Sequence, residues 1–291
     1  MKKVLIIGST GKIGSFLLNS LKSDYTIYSV SRSNSSNYNF FYDFDKQSGD
    51  LSLLRKIDFD VVINCLGILP SSNFSEKSYY KVNSESINIL ASYVNTTCKF
   101  IFMSTISVYG ETITSREIKE TDKVNPKNLY AKSKLQGELF SKKQFPNHYI
   151  FRIPPVFSSF NDKTIYKRLI KTNFIEMKFG DDSQLHSYCS FQTLLAITKK
   201  FIEHSFEVGI YHLADKEPYD NKFLKEKLKI NSLISLRVYK QHFELLVKLS
   251  KLSKLNFIAN KVNEIYFKIF CNNVYSTYKI YSQLENNNEL L

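Results

Sequence analysis

The first half of the chain alternates short runs of almost unbroken apolar residues with longer segments whose apolar positions recur every three or four residues. KVLIIG, YTIYSVS, DVVINCLG, KFIFMS and HYIFRIP are too short for buried helices and read as strands covered on both faces. Between them the spacing is helical, as in Ile87, Leu90, Ala91 and Val94. Strand and helix taking turns predicts an α/β fold, a doubly wound parallel sheet with helices on both sides. After Pro155 the rhythm loosens. Helical spacing returns over 165–171 and 193–204, GIYHLA reads as one further strand, and the chain from Asn221 onward is mostly helical and basic. No internal repeat or low-complexity linker divides the sequence. We expect a core over 1–155 and a smaller lobe over 156–291, of which about 190–215 returns to the core.

At 291 residues the chain can bury a substantial core, and its 43% hydrophobic content is that of a globular protein. Lys and Arg outnumber Asp and Glu by 40 to 27, a formal +13. That excess favours anionic partners, but the charges are spread as on a solvated basic surface. No recognition motif accompanies them, so nucleic acid is not an expected partner. Cys65, Cys98, Cys189 and Cys271 lie far apart with no metal spacing, which predicts a reduced, cytoplasmic protein without a metal. The opening MKKVLIIGSTG resembles a leader in charge, but Gly8 breaks its apolar run too early. No apolar stretch approaches the ~18–20 residues that cross a bilayer. HFELLVKLSKLSKLNF sets Phe243, Leu246, Leu249 and Phe257 roughly on one face among lysines. Such a stripe can lie on anionic membrane, but more often packs against its own domain or a second subunit.

GSTGKIG follows the first apolar run directly, with Gly8, Gly11 and Gly14. Glycine serves where backbone must turn tightly and approach a pyrophosphate, and the helix that follows offers its N-terminal N–H groups to the anion. At the N-terminus, between strand and helix, the motif predicts a Rossmann-like dinucleotide site. The second strand ends at SRS, where an acid would bind the ribose hydroxyls of NAD. Arg32 stands there instead and Lys12 lies in the glycine loop, a pair that suits a 2′-phosphate, so NADP(H) is expected over NAD(H). Farther on, YAKSK sets Tyr130 and Lys134 four apart on one helix face. A cation one turn away would stabilise the phenolate of a Tyr that ordinarily titrates near 10.

The order of these motifs, G-x-x-G-x-x-G, then FMSTISVYG, then Y-x-x-x-K, resembles the extended short-chain dehydrogenase/reductase superfamily, whose members act on nucleotide sugars. The resemblance implies that Thr105 hydrogen-bonds the substrate oxygen, that Tyr130 trades a proton with it, and that Lys134 holds the nicotinamide ribose. Ser104 is the neighbouring substrate hydroxyl. It also implies cofactor contacts from Thr10 and Ile13 in the loop, from Asp43 with Phe44 at the adenine edge (or Asp45 in that part), from the 64–67 segment with Leu66 and Gly67, from Asn83, and from Pro154. The likeness further implies a homodimer.

Three reactions fit the pattern. Dehydratases of the family carry an Asp-Glu pair after the catalytic Thr, where this chain has Ile106 and Ser107, so dehydration is disfavoured. FRIPPVFSSF, GDDSQLHSYCSFQTLL and GIYHLADKEPY resemble segments of bacterial UDP-sugar 4-ketoreductases and epimerases. With Arg32 and Lys12, they favour NADPH-dependent reduction of a 4-keto nucleotide sugar in surface-polysaccharide precursor synthesis. A 4-epimerase is the enzyme alternative, and a non-catalytic NADP-binding sensor or scaffold the alternative of another class. The family's diphosphate-binding Arg falls at His186 and its substrate Asn at Pro155, with Arg168, Lys171 and Lys178 as possible replacements.

Overall fold

A strand with apolar side chains on both faces is stable only when covered twice, and the five apolar runs find that cover in one sheet. The computed structural model describes residues 1–33, 40–70, 74–110, 116–159, 175–179, 184–227, 234–238 and 272–286. Its main sheet contains β1 (Lys3–Ile7), β2 (Thr26–Ser31), β3 (Phe40–Asp43), β4 (Ser48–Gly49), β5 (Val61–Asn64), β6 (Lys99–Thr105), β7 (His148–Ile153) and β8 (Gly209–His212). Their spatial order is β8-β7-β6-β5-β1-β2-β3-β4, parallel except for the β3–β4 edge pair. All five expected strands and the GIYHLA strand are present. The chain thus has the doubly wound α/β fold the pattern predicts.

Alternate residues of each strand feed two cores. Val4, Ile6, Ile63, Ile101 and Phe151 point to one side, against Leu17 and Leu21 of α1 (Lys12–Leu21). Leu5, Ile7, Val62, Phe100 and Ile150 point to the other, with Ile87 and Leu90. Each such buried side chain contributes about 1.5–3 kcal/mol. The second face is covered by α2 (Glu76–Tyr80) and α3 (Ser86–Ala91), joined through a π-turn at Lys81–Glu85. Across them lies α4 (Leu129–Gln144), whose first turn is capped by Asn128 Oδ1, accepting from the Ala131 amide at 2.9 Å. On the first face α5 (Phe191–Glu203) starts at Ser190, whose hydroxyl accepts from the Thr193 amide. Its Phe191 stacks on Phe16 of α1 with ring centres 4.2 Å apart. The segment 190–212 therefore packs on and pairs with the N-terminal sheet.

Three features differ from the sequence reading. The FFYD stretch forms β3 and the turn after it leads into β4, a short edge whose polar neighbours masked its period. The region after Asn221 is not all helical: α6 (Asn221–Lys227) is followed by a strand, Ile234–Val238, which runs parallel to Ile175–Phe179. The alternation in ISLRV is a strand's period of two. Last, residues 272–276 thread back between two segments, with Asn273 bridging His186 and Tyr275 bridging Ile118, before α7 (Tyr278–Asn286) packs on β8. The expected helix at 165–171 and the amphipathic stripe at 242–257 lie outside the described residues. Among the described residues no helix is long and apolar enough to cross a membrane.

α4 owes its close seat to Gly137. A Cβ there would lie 2.6 Å from the Asn83 carbonyl oxygen in the π-turn and 2.7 Å from the Phe102 ring. Gly137→Ala overpacks this contact and is expected to destabilise the fold by about 1–3 kcal/mol. Thermal unfolding checks it, at roughly 2–4 °C lost per kcal/mol; an unchanged midpoint would refute the close packing.

Candidate functional site

Parallel strands deliver their C-terminal ends to one edge of the sheet, and loops part where the chain order reverses. Here the reversal lies between β1 and β5. A groove of about 330 Å³ opens there, lined by Gly8, Thr10 and Gly11 after β1, Ser31 and Arg32 at the end of β2, Tyr42, Asp43 and Phe44 at the end of β3, and Cys65, Leu66, Gly67, Ile68 and Leu69 after β5, with Phe74 and Val82 above. Gly8 turns with a φ of +78°, in the left-handed region that favours glycine. A Cβ on Gly14 would stand 2.3 Å from the Gly8 carbonyl oxygen, so the loop lies directly on the first turn of α1. This bare, amide-rich helix start fits a pyrophosphate.

The two cations expected at a 2′-phosphate part company. Arg32 lines the groove, its guanidinium 5.9 Å from the Phe74 ring centre. Lys12 instead donates to the Val156 carbonyl at 3.1 Å and lies 5.6 Å from the Phe191 ring. Of the two acids weighed for the adenine edge, Asp43 lines the groove and Asp45 does not; the Asp43 carboxylate accepts from the Asp45 and Lys46 amides. Phe44 is buried against Tyr42. Ile13 packs toward the core under α1 rather than into the groove.

β6 brings the next residues to the same edge. Thr105 is its last residue, and its hydroxyl caps the turn at Ile106–Tyr109 by accepting from the Ser107 amide at 3.2 Å. The Thr105 side chain is also a neighbour of Tyr130, in the first turn of α4. Burial pushes the Tyr130 phenol above its ordinary value near 10, and the nearby Thr105 hydroxyl pulls the other way. One turn on, the Lys134 ammonium is 3% exposed and donates to the Leu66 carbonyl at 2.6 Å and the Met103 carbonyl at 2.7 Å. It also lies over the Phe102 ring. Desolvation lowers its pKa to about 8, resisted by Cys65 and Glu138. In this arrangement the Lys134 ammonium is turned to two carbonyls. A Cβ on Gly67 would stand 3.6 Å from the Lys134 ammonium, so the β5 loop passes close by.

Asn83 sits in the π-turn, a deformation frequent at functional sites. Its side chain accepts from the Ile68 amide at 2.7 Å and donates to Ser133 Oγ at 2.9 Å, tying the β5 loop to α4. Pro154 is buried just after β7, and Pro155 offers its carbonyl to the Cys189 amide.

Two residues expected at substrate lie elsewhere. Ser104, next to Thr105 but on the opposite strand face, donates to Glu138 Oε1 at 2.6 Å in the interior. His186 is fully buried in a strand between Tyr219 and Asn273, away from any open surface. Arg168 and Lys171 lie outside the described residues, as does the side chain of Lys178. A second cavity, of about 540 Å³, lies between the start of α5 and the 215–220 segment and includes Ser190, Thr193, Asp215, Tyr219 and Phe223. Among the described residues no cluster of His, Cys, Asp and Glu could hold a metal ion.

The sequence reading missed Tyr42, Phe74 and a buried polar chain behind β6. Arg152 on β7 meets Glu138 of α4 with bonds of 2.7 and 3.0 Å and donates to the Tyr109 hydroxyl at 2.7 Å. Tyr109 in turn meets His212 Nε2 at 2.6 Å, and the other nitrogen of that ring faces the Ser276 carbonyl at 2.9 Å. Burial depresses the His212 pKa to about 3, so the ring is neutral. A lone Arg in the apolar HYIFRI run was the available signal, since a buried charge needs a partner.

Comparison with known proteins bears on fold and lineage. The dTDP-4-dehydrorhamnose reductase of Salmonella typhimurium is 27% identical over 158 residues, 53% of this chain and 52% of that protein. The chain spans about half the length of the curated relatives it matches. Among solved structures, dTDP-4-dehydrorhamnose reductase from Bacillus anthracis in complex with NADP superposes with a TM-score of 0.63 at 20% identity, covering 82% of this chain and 85% of that one. UDP-glucuronic acid 4-epimerase from Bacillus cereus in complex with NAD gives 0.62 at 22% identity, covering 81% and 86%. The fold is theirs. The family model described as RmlD substrate binding domain matches residues 1–223, and the chain belongs to that family.

Proposed function

We propose that the protein is an NADPH-dependent reductase of a 4-keto nucleotide sugar. The reading is carried by one observation: Tyr130 and Thr105 are neighbours at the C-terminal end of β6, beside the buried Lys134 and the dinucleotide-shaped groove. The reductase from Salmonella typhimurium and the NADP-bound one from Bacillus anthracis act on such a ketone by name, which supports the substrate class.

The groove fits NAD(P): the Gly8–Gly14 turn and the start of α1 would hold the pyrophosphate, Asp43 and Phe44 the adenine edge, and Arg32 a 2′-phosphate. When bound, the reduced nicotinamide supplies a hydride for C4 of the sugar. Thr105 orients the carbonyl oxygen. Tyr130 gives its proton to that oxygen as it gains negative charge. A phenol is protonated near neutrality, the state needed to give a proton, although the burial that raises its pKa makes it a weaker acid. That state suits reduction, whereas oxidising a sugar hydroxyl, the first half of epimerisation, asks the same phenol to accept a proton. Lys134, already docked on Leu66 and Met103, keeps a third N–H for the nicotinamide ribose. Ile106 and Ser107 offer no carboxylate to carry the protons of a dehydration.

The 4-epimerase reading stays open on one ground: an epimerase holding NAD superposes as well as the reductases do. Incubation with a UDP- or dTDP-4-keto-6-deoxy sugar should consume NADPH; no loss of its absorbance, with C4 inversion of an ordinary UDP-hexose, would establish the epimerase instead.

Tyr130→Phe should lower kcat by about 10²–10⁴-fold with little change in NADPH affinity; unchanged turnover would remove Tyr130 from the chemistry, and unchanged activity in cells would point to a binding protein that kept the fold. Arg32→Ser should weaken NADPH binding by roughly tenfold or more while leaving NADH unaffected. Equal losses for both cofactors in fluorescence titration would remove the 2′-phosphate role.

A further inference from the structure

A carboxylate buried to 1% exposure is kept only where its bonds are made, and Glu138 has three, from Ser104 Oγ at 2.6 Å, Arg152 Nε at 3.0 Å and Arg152 Nη2 at 2.7 Å. The ion pair with Arg152 already satisfies both oxygens. The Ser104 bond is additional, and it reaches the strand that carries Thr105. We propose that Glu138 and Ser104 are positioning residues: their bond locks α4 on β6 so that Tyr130, Lys134 and Thr105 keep their mutual places. The inference rests on reading those three as the reacting groups.

The spacing supports it. Tyr130, Lys134 and Glu138 follow at intervals of four along α4, one above another on a single face. On β6, the Met103 carbonyl takes the Lys134 ammonium, Ser104 bonds Glu138, and Thr105 neighbours Tyr130. Three consecutive residues of the strand thus meet three consecutive turns of the helix, with the carboxylate contact deepest in the protein. Arg152 extends the clamp, since its Nη1 donates to Tyr109 at the end of the turn that Thr105 caps. A stabilising role alone would be served as well by apolar side chains of similar size. The titratable groups acting on Lys134 are Cys65 after β5 and Glu138 on its own helix, with Tyr130 one turn away and Arg152 behind Glu138. The Glu138 charge therefore also helps Lys134 hold its proton.

Two variants test the proposal. Ser104→Ala removes one bond and leaves the ion pair whole. It should lower kcat about ten- to a hundredfold with the KM for NADPH and the alkaline limb of the pH profile unchanged, and Ser104→Thr should recover most of the loss. Glu138→Gln keeps the shape and removes the charge; the Lys134 ammonium, followed by ¹⁵N NMR on the free protein, should then titrate at lower pH than in the wild type. Ser104→Ala with kcat within twofold of wild type overturns the positioning role, and so does a Lys134 titration unmoved in folded Glu138→Gln. If Glu138→Gln does not fold, Ser104→Ala alone decides. If the wild type reduces no keto sugar, the functional reading fails and the Lys134 titration decides this inference by itself.

Discussion

An ammonium taken out of water must find acceptors, and Lys134 finds them in the carbonyls of Leu66 and Met103. That requirement ties three pieces of the protein at one point: the loop after β5, the strand β6 and the helix α4. The loop forms a wall of the groove, the strand carries Thr105 and the helix carries Tyr130. A neutral residue in the same place would leave both carbonyls to be satisfied otherwise and the three elements free to shift. Desolvation lowers the lysine only to about 8, which still leaves it chiefly charged near neutrality, so the attachment persists where the proposed chemistry would run.

The two faces of β6 divide the work. Thr105 faces the crevice, while Ser104 faces the interior, because neighbouring side chains in a strand alternate. Behind the sheet, Glu138, Arg152, Tyr109 and His212 form a continuous bonded chain that ends at the Ser276 carbonyl. Breaking a buried ion pair by removing one partner costs about 3–5 kcal/mol, and this chain runs from that pair to the returning segment at 272–276. The segment far along the sequence is thereby fixed to the strand whose end holds the reacting hydroxyl.

What could be read from the sequence follows the range of the interactions concerned. The glycine turn, the strand runs and the Tyr130–Lys134 spacing are local, each set by residues within a few positions, and the fold they imply is the one observed. Arg32, expected at the end of the second strand, lines the groove, and so does Asp43, expected there from the family resemblance and ending a strand the sequence reading missed. Lys12 does not, because its direction depends on Val156 and Phe191, more than a hundred residues away. His186 failed likewise: a motif alignment put it at a diphosphate, yet pairing with Tyr219 and Asn273 buries it completely. Ser104 shows the other limit. Two adjacent hydroxyls both looked catalytic, and only the pleat of the strand, together with Glu138 thirty-four residues on, separates them.

The same logic bears on which reaction the site favours. Proton donation and proton abstraction use the same phenol, and the protein's choice between them lies in what surrounds it. Around Tyr130 there is burial, which favours the neutral form, and a neighbouring threonine hydroxyl, which favours the ionised form less than burial opposes it. On the same helix face, the Lys134 ammonium is docked on two carbonyls. A site built to abstract a proton from a sugar hydroxyl would need its cation turned toward the tyrosine, or a permanent positive charge beside it. An oxidised nicotinamide carries such a charge and a reduced one does not. In the proposed reductase, a phenol left protonated would be the state that completes a ketone's reduction.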